Sequence, residues 1–397
     1  MKPDKTAETE STQLETEVES ASRAPAARFG LPALTLLFHP DATRTGERIT
    51  LPDLTSRGTV ELSRLTPEFS APGKTRKRPL ADRRLSRRPL RLQPGRATGA
   101  VLLDPGSTPT SVYLGEELLR DAIELTHDEI EHGVILRLAN RVVLLLHFVD
   151  PLAQRDLPDY GLIGASDALT QVRQDIRQVA DLDVPVLVRG ETGTGKELVA
   201  QAIHRASPRV DRPYVTVSMA AIPPTLAAAE LFGAVKGAFT GADRHRQGYF
   251  RRAAGGTLFL DEIGETPEEL QVLLLRCLES SEIQPVGADR TEKVDVRLIT
   301  ATDLDLEEAV AARRFRAPLL HRLNGYEITV PPLRQRRDDF GRLFFHFLRR
   351  ELDAIGQAAR LDLPQSGQKP WMSAALCARL AAFDWPGNVR QLRNVAR

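Results

Sequence analysis

Apolar positions along this 397-residue chain fall into two regimes. From Phe29 to about Asp150 they form short, closely spaced runs. Ala33–Phe38 (ALTLLF) reads as a strand, and Thr59–Leu62 and Val112–Leu114 alternate. Val134–Leu138 and Val142–His147 read as a hairpin turning at Ala139-Asn140-Arg141. Such spacing predicts a β-sandwich. Beyond Tyr160 the apolar runs are separated by longer stretches. Val184–Val188, Tyr214–Val217, the run entering Asp261 and Val294–Thr302 read as buried strands. Helical segments between them predict a parallel sheet with crossover helices. Ser373–Arg397 reads as helical, with Ser373 as N-cap and an interruption at Trp385–Asn388, which predicts a small helical lid.

The expected layout is therefore multidomain. Residues 1–28 have no apolar periodicity and are expected to be a disordered tail. Residues 29–149 form the β-sandwich, and 150–159 (DPLAQRDLPD), punctuated by Pro151 and Pro158, form a linker. Residues 160–340 form the α/β core and 341–397 the lid. The formal net charge of +1 conceals a basic segment, Gly73–Arg96. That segment lacks interleaved aromatics and contains several prolines, so a solvated loop beside an anion site is preferred over a nucleic-acid patch. The 2 cysteines, Cys277 and Cys377, offer neither a disulfide framework nor metal spacing. With no apolar run long enough to span a bilayer and no signal peptide, a cytoplasmic location without membrane contact is expected.

Gly190–Glu197 (GETGTGKE) carries the chemistry. It lies between the strand at Val184–Val188 and the apolar stripe of Leu198, Val199, Ala202 and Ile203. Strand, Gly-rich turn and helix are the setting of a phosphate-binding P-loop. Gly190, Gly193 and Gly195 permit backbone that a Cβ would forbid, so N–H groups around Glu191, Thr192 and Thr194 can turn inward on an anion. Lys196 adds a full charge where β- and γ-phosphates would sit, and Glu197 stands where many P-loops place Ser or Thr. The run ending at Asp261-Glu262 reads as a Walker B strand. Asp261 would hold Mg²⁺, and Glu262 would orient or deprotonate the attacking water. ATP and Mg²⁺ are thus the expected cofactors.

Between these motifs lies Glu230-Leu231-Phe232-Gly233, followed by Lys236 and Gly237-Ala238-Phe239-Thr240-Gly241-Ala242. The string ELFG…KGAFTGA closely resembles the signature of sigma-54-dependent transcriptional activators, bacterial enhancer-binding proteins of the AAA+ class. The resemblance runs from about Tyr160 to the C-terminus, and in that family Glu follows the P-loop Lys, as Glu197 does. It implies an ATPase whose GAFTGA loop engages sigma-54 and remodels the closed promoter complex of the RNA polymerase holoenzyme. It also implies that Arg316 and Arg322 are arginine fingers serving a neighbouring subunit, that Thr302 is the sensor I threonine and that Arg390 is the sensor II arginine. Trans-acting fingers imply a ring, usually a hexamer in this family. The chain stops inside the lid helix begun near Gly387, so a partial lid is expected. No helix-turn-helix is read, and direct DNA binding is not expected.

The N-terminal sandwich resembles a forkhead-associated (FHA) domain, through Leu62-Ser63-Arg64, Leu85-Ser86-Arg87 and Val112–Gly115, with Leu114 in place of the family's Asn. That resemblance implies a phosphothreonine protein as partner, with Arg64 and Ser86 on the phosphate and Arg87 nearby. Three departures bear on the ATPase. Ser218 stands where the activators have an Asn that holds the Walker B Glu until the phosphates are sensed, and its shorter side chain puts the coupling between nucleotide state and Glu262 in question. Asp303 replaces the usual Asn beside sensor I, and Ala234-Val235 replace His-Glu before the GAFTGA loop. ATP binding and hydrolysis are expected to survive. The competing reading is a phosphopeptide-binding adaptor whose AAA+ module assembles but turns over weakly.

Overall fold

The computed structural model describes residues 30–153, 156–238, 245–361 and 370–397. The tail expected at 1–28 lies outside them. The first domain comprises β1 (Leu31–Phe38), β2 (Arg48–Thr50), β3 (Val60–Leu62), β4 (Leu90–Pro94), β5 (Val101–Asp104), β6 (Val112–Leu114), β7 (Glu117–Leu118), β8 (Ile123–Leu125), helix α1 (His127–His132), β9 (Val134–Leu138) and β10 (Val142–Val149). A six-stranded sheet, ordered β2-β1-β10-β9-β6-β7, faces a four-stranded one, ordered β3-β4-β5-β8. All pairings are antiparallel. The predicted hairpin is present, with Val142 paired to Leu138 and Leu146 to Val134.

Alternation along the central strands sends side chains to two different cores. Leu34, Leu36, Val142, Leu144 and Leu146 pack between the two sheets. Leu37, Phe38, Val143 and Leu145 point the other way, into a second apolar cluster. Strands buried on both faces read as near-continuous apolar runs, which is why VVLLL has no polar residue and ALTLLF only the buried Thr35. A bulge between Leu36 and Phe38 turns two consecutive residues, Leu37 and Phe38, toward that second cluster.

The second domain contains α2 (Asp167–Ala180), β11 (Val186–Arg189), α3 (Lys196–Ala206), β12 (Tyr214–Ser218), α4 (Pro224–Phe232), α5 (Tyr249–Arg252), β13 (Thr257–Asp261) and α6 (Glu268–Ser280). After the short pair β14 (Glu282–Ile283) and β15 (Glu292–Lys293) come β16 (Arg297–Thr302), α7 (Leu306–Ala311), α8 (Ala317–Leu323) and β17 (Tyr326–Thr329). Its sheet, ordered β12-β13-β16-β11-β17, is wholly parallel, as the alternation of strands and helices predicts. Parallel strands need crossovers, and the helices cover both faces: one apolar cluster holds Leu258, Leu260 and Leu298, the other Val186, Val188, Phe259 and Ile299.

The lid is α9 (Phe340–Ala354), α10 (Ala374–Ala382) and α11 (Asn388–Val395). Ser373 caps α10 as expected, its hydroxyl accepting from Leu376 N at 3.1 Å. The break at Trp385–Asn388 is real: both residues sit at positive φ, 52° and 50°. The lid is what covers the outer face of the six-stranded sheet. Phe340, Phe344, Cys377, Ala381 and Trp385 share one core with Leu37, Phe38, Val143 and Leu145. The chain's 2 tryptophans both lie here. Trp371 stacks obliquely on Phe38, ring centroids 5.0 Å apart, and donates from Nε1 to His39 O at 3.3 Å. Both cysteines are buried and free. Among the described residues no helix is long and apolar enough to cross a membrane.

Candidate active site

The P-loop leaves β11 at Gly190 and enters α3 at Lys196. Gly193 adopts φ +80°, and a Cβ there would lie 2.5 Å from Gly387 O of the lid, so glycine is required by both conformation and approach. Lys196 Nζ donates to Gly190 O at 2.7 Å and to Glu191 O at 3.3 Å, which curls the loop around the ammonium. Burial lowers the Lys196 pKa, opposed by the nearby Asp303 and Asp261 carboxylates. Asp261, ending β13, is pushed upward, first by burial, while a bond from Glu262 N at 3.0 Å and the Lys196 charge pull it down. These groups line a cavity of about 560 Å³ together with Thr192, Gly193, Thr194, Gly195, Glu197, Glu262, Asp303 and Arg390.

Glu262 sits in the left-handed region, φ 57°, immediately beyond the strand. Its Oε2 accepts from Ser218 Oγ at 2.7 Å. The short serine reaches the carboxylate through register: Ser218 pairs directly with Asp261 across β12 and β13, which brings its hydroxyl beside the next residue's carboxylate. Asp303 accepts a hydrogen bond from the Thr192 hydroxyl and so faces the P-loop. Thr302, expected at the nucleotide, is buried, and its Oγ1 accepts from Leu304 N at 3.1 Å. Asp303 lines the cleft at this point; Thr302 lies behind it.

The lid and the segment before it reach the P-loop largely through side chains to which sequence reasoning gave no role. Arg334 forks onto Glu191 at 2.8 and 2.5 Å. Asn388 Nδ2 donates to Glu191 Oε2 and to Thr192 O, both at 3.1 Å. These contacts hold the Glu191 carboxyl down to about 2, the Arg334 bond being the largest cause. Arg390 N donates to Gly193 O at 3.2 Å, and the buried Arg336 donates from Nη2 to Thr194 O at 3.0 Å. Leu162, Ile163, Leu343, Phe347 and Val389 supply an apolar wall. Only Arg390 among the lid residues had a sequence motif to mark it.

Arg316 and Arg322 lie outside the cleft of their own chain. Arg316, which precedes α8, bonds Glu268 at 3.2 Å, and Arg322 on α8 donates twice to Leu278 O, at 3.0 and 2.8 Å. Of the contact loop, Phe239, Thr240, Gly241 and Ala242 fall outside the described residues. Gly237 adopts φ +82°, and Ala238 N donates to Val235 O at 3.2 Å. The base of the loop is pinned where Ala234 and Arg246 exchange backbone bonds at 3.0 and 2.9 Å, with Val235 N on Val286 O at 3.0 Å. In the sandwich, Arg64 N donates to Ser86 O at 3.0 Å, so these two residues are brought together beside exposed Arg87. The Ser86 hydroxyl accepts from Arg88 N at 2.9 Å.

Comparisons with known proteins agree with this geometry. A family model described as the sigma-54 interaction domain matches residues 162–329, and one described as the AAA+ ATPase lid domain matches 334–397. Neither extends into the β-rich N-terminal region. The chain is 48% identical over 235 residues to the transcriptional regulatory protein ZraR of Salmonella typhimurium, covering 59% of this chain and 51% of ZraR. It is 48% identical over 240 residues to the DNA-binding transcriptional regulator NtrC of Escherichia coli, covering 60% and 49%. The chain thus spans about half the length of these relatives. The structure of NtrX from Brucella abortus in complex with ATP matches with 37% identity and a TM-score of 0.51, covering 59% of this chain and 49% of NtrX. Residues 162–329 are therefore a sigma-54 interaction domain and residues 334–397 an AAA+ lid, homologous to the corresponding parts of the NtrC- and ZraR-type regulators.

Proposed function

We propose that the chain is an ATP-driven activator of sigma-54 RNA polymerase. The observation that carries this is the Ser218–Glu262 hydrogen bond at 2.7 Å beside Asp261 and Lys196. The Glu262 carboxylate lies in the same cleft as the Gly-rich loop, where a base for hydrolysis would act, and Ser218 would hold it there as the activators' Asn does. ATP would lie along Gly190–Glu197 with its phosphates on the loop N–H groups and Lys196. Glu262 would orient water toward the terminal phosphate and accept its proton. Arg390 and Asp303 flank the same cavity.

Magnesium fits at Asp261. Among the described residues no cluster of three His, Cys, Asp or Glu could hold a metal alone, so one carboxylate and the nucleotide would share it. When bound it would neutralise charge on the β- and γ-phosphates. Arg316 and Arg322, remote from their own cleft, would complete a neighbour's site in a ring. The GAFTGA motif, Gly237–Ala242, would engage sigma-54, starting from a base pinned at Ala234, Arg246 and Val286. A phosphothreonine protein on Arg64, Ser86 and Arg87 would supply the regulatory input.

An ATPase assay against protein concentration, with and without sigma-54, tests the reading beside Thr240→Ala. Turnover should rise with concentration, and Thr240→Ala should keep ATPase activity while losing sigma-54 engagement. Binding of ATP with magnesium but no turnover at any concentration would overturn the activator reading.

A further inference from the structure

The segment Arg334–Asp339 contacts the P-loop and the sandwich by turns. Arg334 and Arg336 reach Glu191 and Thr194 O of the P-loop. Two residues on, Asp338 pairs with Arg48 of the sandwich, and both side chains are buried. Arg48 is in turn held by its own domain, donating from Nε to Thr35 Oγ1 at 2.9 Å. Asp339 anchors the segment to the start of α2, accepting from Ala165 N, Ser166 N and Ser166 Oγ at 2.5, 2.9 and 2.6 Å. Two 3₁₀ turns, Leu333–Gln335 and Arg337–Asp339, make the segment short and stiff. Directly after it, α9 lies on the sandwich, so close that a Cβ on Gly341 would sit 2.5 Å from Leu37 O and 2.8 Å from Thr45 Cγ2.

We infer that the β-sandwich braces the nucleotide cleft, with Arg48 acting as a positioning residue for the P-loop through the Arg334–Asp339 segment. This rests on reading the cleft as a nucleotide site. The ties to the P-loop are one backbone hydrogen bond from Arg390, side-chain hydrogen bonds from Asn388 and Arg336, and the partly exposed Arg334–Glu191 pair, each modest individually. The apolar core shared with the sandwich and the buried Arg48–Asp338 pair are the stronger restraint. With the sandwich docked, the lid is kept on the loop and bound nucleotide is retained. Undocking frees Arg334 and Arg336 together, and nucleotide leaves faster.

The test uses the full chain with magnesium and a fluorescent N-methylanthraniloyl ATP analogue chased by excess ATP. Gly341→Leu wedges the two domains apart from the outside of a helix, and Arg48→Met removes the pair. Both should release the analogue about tenfold faster with an unchanged association rate, a size ordinary for coupling between sites. Arg48→Lys, which keeps the charge, should restore most of the retention. If Arg48→Met fails to fold, Gly341→Leu decides. Wild-type release rates in a well-folded Gly341→Leu variant overturn the brace alone. A wild-type protein that never binds the analogue overturns the nucleotide site and the brace with it.

Discussion

The Ser218 hydroxyl and the Glu262 carboxylate meet because neighbouring parallel strands end level with one another. Removing that donor leaves the carboxylate free to rotate. Ser218→Ala is expected to lower the ATPase kcat by about tenfold, in line with the loss of one hydrogen bond to a charged group, while nucleotide affinity stays within about twofold. Steady-state turnover beside a binding titration checks both. A second residue sets a pH limit. His39 is buried, its Nε2 faces Leu80 O at 3.0 Å and its Nδ1 accepts from Asp41 N at 3.0 Å, which fixes a neutral ring with the proton on Nε2. Burial foremost, then the Arg44 charge, lowers its pKa from 6.5 to about 4. The unfolded chain therefore takes up this proton first. Stability from His39 is complete above pH 6.5 and is lost as pH falls toward 4, by about 3 kcal/mol in all. Urea unfolding at pH 7 and pH 5 should show the loss, and His39→Gln should flatten it.

At the scale of elements, the P-loop and the lid behave as one closed turn. Gly193→Ala would place a methyl group against Gly387 O at a position of positive φ. It is expected to weaken ATP binding by about tenfold or more, as a backbone clash and left-handed strain together demand. Calorimetric titration with ATP would read this, and the far-UV spectrum should not change. The strands, the P-loop helix and the Ser373 cap were legible because each is written in neighbouring residues. Arg334, Arg336 and Asn388 were not, since their partners Glu191, Thr192 and Thr194 lie far away in sequence and nothing local marks them. One long-range feature did leave a trace. A sandwich strand with one solvated face should alternate, and the nearly unbroken runs at Ala33–Phe38 and Val142–Leu146 are consistent with a second buried face without saying what covers it. At sensor I the Thr302 hydroxyl accepts from Leu304 N, and the next residue, Asp303, lines the cleft.

The whole molecule is held together by the cluster between sandwich and lid. Phe38 is fully buried there. Phe38→Ala is expected to cost about 3–5 kcal/mol, as for other buried aromatic truncations. The shift should appear in the denaturant midpoint of both domains at once, because each loses part of its core. Calorimetry of wild type should likewise give one joint transition for sandwich and lid, and Gly341→Leu should split it in two. The placement of Trp371 and Trp385 adds an optical consequence. Since both indoles of the chain lie in that cluster, Trp371 against Phe38 of the sandwich and Trp385 inside the lid, tryptophan emission reports on the lid and on its seat against the sandwich. A red shift on adding an effector would mean that the lid core has opened to water, and Trp385→Phe would leave Trp371 as the reporter of its seam with the sandwich, followed in real time without attaching a dye.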